Sequence, residues 1–278
     1  MSSKIPYKVL KSDLKFLFSS EITEHVNKVN TQKIIKTKLI DIVPQKQSFW
    51  SGEQLIEIKK QDLPFSNYSS GNQADRFVHK LEAVLAKLIV KLNSNGLPCG
   101  LQNQKELWQE WLQMRGKLDS EFSGEWVDKI LMRIDKKMLP SDSLPAHVTE
   151  DLFISEYFNK LLHMELSPSN LLVNRNIHAW LPFQIDLLEN WKVEDKNGFY
   201  SIIISGKLRD MPTNKIRSWL EKSRIPNLSN EKIEVESKGI FDIDLKTGWC
   251  SAYQTTYILK VQDIYLREMK NKLISRSI

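Results

Sequence analysis

Asp242, Asp244 and Lys246 stand at i, i+2 and i+4, a spacing that puts three side chains on one face of a β-strand. Glu234, Glu236 and Lys238 repeat it earlier in the same run. Two carboxylates and a lysine so aligned have the chemistry to hold a divalent cation and to orient a water for attack. The same letters also describe a solvated acidic strand face that ends in the turn at Thr247-Gly248. Other chemistries lack their parts. The ten glycines sit singly, so neither a dinucleotide fingerprint nor a phosphate-binding loop is present. His25, His79, His147, His163 and His178 lie far apart without zinc-ligand spacing. Gly-x-Ser-x-Gly is missing, which removes the nucleophile elbow. Cys99 alternates with Leu97 and Leu101 and reads as a buried strand cysteine, and no cofactor is expected.

The acid-x-Lys run resembles the second half of the PD-(D/E)xK nuclease motif. The resemblance implies that Asp242 and Asp244 bind Mg²⁺ while Lys246 orients the attacking water. The Pro-Asp half of that motif is absent from the chain.

The aromatic residues offer a different chemistry. Eight tryptophans are spread over every segment. Those on helices have core spacing, and Trp108, Trp111, Trp126 and Trp180 are the candidates to line a concave apolar site between sheet and helices. A third possibility is a basic surface. Residues 1–60 hold eleven Lys against six acids out of a net charge of +6 for the whole chain, and Lys33, Lys36 and Lys38 mark the strands that would meet a nucleic acid. Most of these lysines alternate with apolar residues, as solvent-facing lysines on strands do.

The elements that must position these residues read β, then α, then β. Period-two alternation in Ile5–Phe18, Ile22–Val26, Ile35–Val43 and Trp50–Ile58 predicts an antiparallel meander over residues 1–62, with one strand ending at Pro44. Residues 66–72 are a loop by composition. A block over 73–165 is mainly helical, with a hairpin near 88–101 signalled by Asn95-Gly96. Within it, Asn103 and Glu106 have capping-box spacing, and a third helix is expected near Thr149–Leu162 after Pro140 and Pro145. From residue 176 the chain returns to β. Ala179–Val193 and Phe199–Leu208 form one hairpin, Met211–Leu220 a short helix, and Lys232–Leu245 with Trp249–Val261 a second hairpin. Residues 262–278 stay undecided: Tyr265, Met269 and Leu273 have helical spacing while Ile264 and Leu266 alternate.

The chain has 278 residues, 41% of them apolar, enough to bury a sizeable core as a single domain. It contains no run of apolar residues long enough for a membrane span. The first residues lack the apolar stretch and cleavage site of a secretory signal, and two cysteines make no disulfide framework, so a cytoplasmic setting is expected. The fold class implied is α+β, a curved and mainly antiparallel sheet with a central helical block on one face. Long strands, a helical insertion and returning hairpins resemble the half-barrel carriers of the LolA/LppX lipoprotein-carrier kind, a resemblance of architecture. The function expected is a non-enzymatic binding or adaptor protein whose sheet and helices cradle a polypeptide or apolar ligand. A metal-dependent nuclease and a basic nucleic-acid binder are the alternatives.

Overall fold

The computed structural model describes residues 3–4, 7–47, 52–63, 73–139, 148, 150–159, 165–166, 171–177, 180–209, 213–223, 225 and 231–276. Ile5, Trp50, the loop at 66–72, Pro140, Pro145, Thr149, Ala179, Met211 and the histidines at 147, 163 and 178 lie outside them. The expected α+β class holds. Among the described residues thirteen strands and five helices follow one another as β1 (Ser3–Lys4), β2 (Leu14–Val26), β3 (Val29–Gln47), β4 (Gln54–Asp62), α1 (Gln73–Val84), β5 (Lys87–Leu92), β6 (Pro98–Leu101), α2 (Gln104–Glu121), α3 (Glu125–Met138), α4 (Leu152–Tyr157), β7 (Glu165–Leu166), β8 (Leu171–Ile177), β9 (Ile185–Lys196), β10 (Phe199–Leu208), α5 (Thr213–Lys222), β11 (Ile233–Asp244), β12 (Cys250–Val261) and β13 (Tyr265–Ser275). Eleven strands hydrogen-bond in the order β6-β5-β4-β3-β2-β13-β12-β11-β10-β9-β8, and β1 pairs with β7. The chain divides into two compact units, and β2 and β3 each contribute to both.

Unit 1 comprises residues 1–6, 17–37 and 163–275. Its strands β8 to β13 form five consecutive antiparallel ladders. β12 shows why: Tyr253, Thr255, Tyr257, Leu259 and Val261 are buried, and the residues between them are half-buried or exposed. Such alternation places one face of a sheet on a core and the other in water. β2 and β3 join through Asn27 and Lys28, both left-handed (φ 51° and 67°), the mirror-turn geometry that matches the twist of a hairpin. The undecided C-terminal segment is a strand, β13, paired with β12 from Ala252↔Ile274 to Val261↔Tyr265. β9 begins later than its alternation predicts, at Ile185. Pro182, with no N–H to give a ladder, leaves residues 180–184 as irregular chain.

The buried face of unit 1 carries charge. Glu189 is fully buried, and its two carboxylate oxygens accept from Arg175 Nε and a second guanidinium nitrogen (both 2.8 Å), from Trp191 Nε1 (2.9 Å) and from Ser237 Oγ (2.8 Å). The register puts Gly206 between Glu189 and Ser237. A Cβ there would meet Ser237 Oγ at 2.4 Å and Glu189 Cγ at 2.6 Å, so the absent side chain makes room for the network.

Unit 2 comprises residues 7–16, 38–162 and 276–278. Ile40 and Ile42 of β3, Ile56 and Ile58 of β4, and Leu88, Val90 and Leu92 of β5 share its buried face. The predicted hairpin is present, with Asn93 Oδ1 accepting from the backbone of Asn95 and Leu97 (2.9 and 3.0 Å). Gly96 (φ 73°) is required twice over, because a Cβ there would run into the Tyr7 ring at 2.4 Å. Cys99, expected to be buried, is exposed on β6, a short strand whose Pro98, Gly100 and Leu101 are only half-buried, whereas Cys250 of unit 1 is buried. α2 and α3 are tied where Asp135 accepts from Trp111 Nε1 (2.8 Å) and from Arg115 Nε (3.0 and 3.1 Å).

Three local expectations change. The capping box does not form: Asn103 makes no cap bond, and its side chain instead accepts from Ile89 N (2.8 Å) and donates to Lys87 O (3.2 Å), fastening β5 to the start of α2. β3 does not end at Pro44 but passes through it to Gln47, with a register shift between Pro44 and Lys46; a bulge is where a strand tolerates a residue without N–H. The third helix is shorter than expected, Leu152–Tyr157, and is started by Asp151, whose carboxylate accepts from Ile154 N (3.0 Å).

Candidate ligand-binding site

α5 is amphipathic in the plainest sense. Ile216 and Leu220 are fully buried, while Lys215, Trp219 and Lys222, at i, i+4 and i+7, share another face. Trp219 sits at the border, half-buried. Its ring is held edge-on by Phe183 (6.3 Å, 81°) and by Tyr265 (6.1 Å, 84°), and the Arg267 guanidinium lies 5.7 Å from its centroid. Edge-to-face packing and a cation near the ring are both favourable to an aromatic quadrupole, so the indole has a set orientation. Glu24 neutralises Arg267 at 3.1 Å. Burial, reinforced by Glu24, pushes the Tyr265 hydroxyl well above its ordinary pKa, so it stays uncharged.

An open pocket of about 440 Å³ is formed by this face of α5 and the irregular segment before β9, lined by Pro182, Phe183, Asn214, Lys215, Ser218, Trp219 and Lys222. The volume is within the usual range of small-molecule sites. Pro182, Phe183 and Trp219 supply an apolar wall, and Asn214 and Ser218 supply neutral hydrogen-bonding groups. Lys215 and Lys222 are exposed and have no ion-pair partner among the described residues. Among the described residues the lining holds no carboxylate and no histidine.

Of the tryptophans singled out as ligand-lining candidates, Trp108, Trp111 and Trp126 belong to unit 2 and Trp180 to unit 1. Trp111 is fully buried and spends its indole N–H on Asp135. Trp126 is 37% exposed and meets Phe77 at 5.4 Å. Trp108 is half-buried. Trp180 is fully buried against Tyr257 (5.8 Å), and its Nε1 finds no hydrogen-bond partner among the described residues.

The carboxylates of the alternative metal site have structural partners. Asp242 accepts from Ser201 Oγ (2.6 Å), and Asp244 Oδ1 accepts from the Lys246 backbone (2.7 Å), closing the turn. The Lys246 side chain is exposed. Among the described residues no group of three His, Cys, Asp or Glu side chains is placed to hold a metal ion. The lysines of the basic strands are matched by acids: Lys33 by Glu21 (2.9 Å), and Lys38 by Glu82 (2.7 Å) and Asp62 (3.3 Å).

The pocket residues carry a weak sequence signal. Trp219 and the lysines on either side of it read as one more amphipathic helix, and nothing in the chain pairs them with Phe183. No helix among the described residues is long and apolar enough to cross a membrane.

No protein family and no curated protein matches the sequence. Among solved structures the chain is similar to one described as "Lipid-protein interactions in lipovitellin", at a TM-score of 0.46 and 9% identity, with 97% of this chain and 26% of that chain covered. The chain therefore spans little more than a quarter of the length of that protein.

Proposed function

We propose that the protein is a non-enzymatic binding protein that holds a small apolar ligand in the unit 1 pocket. The observation that carries this reading is the preset Trp219–Phe183 wall, an aromatic surface left open in a concavity of about 440 Å³. Aromatic side chains normally finish in a core, and a half-buried pair that is already fixed in orientation lowers the ordering cost of binding. The lining supports recognition rather than turnover, since among the described residues Ser218 has no base beside it in the pocket and the two lysines have no acid.

The test is titration with N-phenyl-1-naphthylamine, an uncharged probe that brightens in apolar surroundings. Wild type is expected to bind it saturably at one site. Trp219→Ala should weaken binding about tenfold or more, in keeping with the loss of a buried aromatic contact. Trp219→Leu, which keeps apolar bulk, should retain part of it. Saturable binding that neither substitution changes would place the ligand elsewhere and end this reading.

A further inference from the structure

We infer that the ligand of this pocket is an apolar anion, an alkyl or aryl group bearing a carboxylate or phosphate; the inference rests on the binding reading above. Lys215 and Lys222 stand seven positions apart on the pocket face of α5, two turns of helix, with Trp219 between them. Both are exposed and lack an ion-pair partner among the described residues. Other lysines of the chain, among them Lys33, Lys38, Lys60 and Lys192, have a carboxylate close by. The acid of α5, Glu221, does not line the pocket. Arg267, which rests by Trp219, is already neutralised by Glu24. Among the described residues the rim is thus positive by two charges, and the wall beneath it is aromatic.

The two lysines are not equivalent for the helix. Lys222 lies in the last turn, where the helix dipole favours a cation. Lys215 lies in the first turn, which contains no acid and where the same dipole disfavours a cation. Helix stability therefore accounts for Lys222 and not for Lys215. A bound anion reverses the sign at that position, because it is attracted by the ammonium and by the helix end together. The apolar part of the ligand then lies on Phe183 and Trp219, with Asn214 and Ser218 as neutral donors at the margin.

Four single-chain probes of equal length separate the possibilities: dodecanoate, dodecyl phosphate, dodecanol and dodecylammonium, each titrated by calorimetry below its micelle concentration. The expected order is both anions tighter than dodecanol, and dodecanol tighter than dodecylammonium. The carboxylate and phosphate arms show which head group the rim prefers. Lys215→Met with Lys222→Met should weaken anion binding about tenfold relative to dodecanol, a loss in line with two partly solvated ion pairs. Raising the salt should weaken anion binding to wild type and not to the double variant. Equal affinity for dodecanoate and dodecanol, unchanged in the double variant, overturns the anion inference while the apolar-ligand reading stands. Failure of all four probes together with N-phenyl-1-naphthylamine overturns both.

Discussion

The two units differ in how they compensate charge. Unit 1 places Glu189 and Arg175, 0% and 8% exposed at their side chains, on the covered face of its sheet, and satisfies the carboxylate with two arms of Arg175, an indole and a hydroxyl. Unit 2 also buries carboxylates, Glu57 and Glu156 at 6% and 2% exposed, and sets its lysine–acid pairs nearer the margin. Lys60 meets Asp151 at 2.5 Å, and Lys38 meets both Glu82 and Asp62, with side chains between 7% and 24% exposed. A buried ion is expensive unless every lone pair is used, so the unit 1 network tolerates one arrangement. It draws on β8, β9 and β11 at once and thereby fixes their register. In unit 2 Lys38 has two acids within reach, so its value is spread over two weaker pairs.

The largest expected effect tests the rigid end of this contrast. Glu189→Ala should destabilise the protein by about 3–5 kcal/mol in denaturant unfolding, because it strands the Arg175 charge out of water. Arg175→Met combined with Glu189→Leu should recover much of that loss, since apolar residues of similar volume often replace a buried pair at little cost. If the double variant is no more stable than Glu189→Ala, the network is valuable for more than mutual neutralisation.

A middle effect is expected at Asp135. This carboxylate is 29% exposed, and its pair with Arg115 is open to solvent, so the ion pair itself contributes little. Its bond from the fully buried Trp111 is different, because losing it leaves an indole N–H unsatisfied. Asp135→Ala should cost about 1–2 kcal/mol, and added salt should hardly change that figure. A strong salt dependence would move the weight to Arg115.

The smallest effect belongs to Lys38. Burial alone would lower its pKa, but Glu82, joined by Asp62 and Asp151, outweighs burial and holds the ammonium above its ordinary value. A raised basic pKa adds stability below the unfolded-state value and gives it up as pH rises through the folded-state value. Lys38→Met should therefore cost no more than about 1 kcal/mol at neutral pH. The gap between variant and wild type should close in strongly alkaline solution. A gap that persists there would mean that the aliphatic stem, and not the charge, is what counts.

The same polar residues explain what the sequence hides. β12 is legible because its buried face is apolar or aromatic at nearly every second position. β13 is not, although it lies beside β12. Its buried face reads Tyr265, Arg267, Met269, Asn271, Leu273, and the polar members break the alternation. The apolar residues that remain are four apart, a spacing that helix and strand share. Asn103 is a similar case, where a capping letter serves a strand backbone instead. The Asn95-Gly96 hairpin and the antiparallel pairing of the flanks follow from local pattern, but the N-terminal strands fall in other pieces than expected, since Leu14–Val26 is one strand and residues 7–13 are none. The pocket depends on where residues 180–184 lie against α5, a tertiary fact that periodicity does not encode.

The two thiols turn the division into units into something a chemist can time. Cys99 is open to solvent in unit 2, whereas Cys250 is buried in unit 1, with its thiol pushed up by that burial. A thiolate-directed reagent added to the folded protein therefore marks Cys99 first. Cys250 takes the label only when the chain around β12 opens, so the delay between the first and second mass increments is a clock for the opening of unit 1 alone. The unmodified sequence carries its own reporter, and ligand added to the pocket should slow that clock.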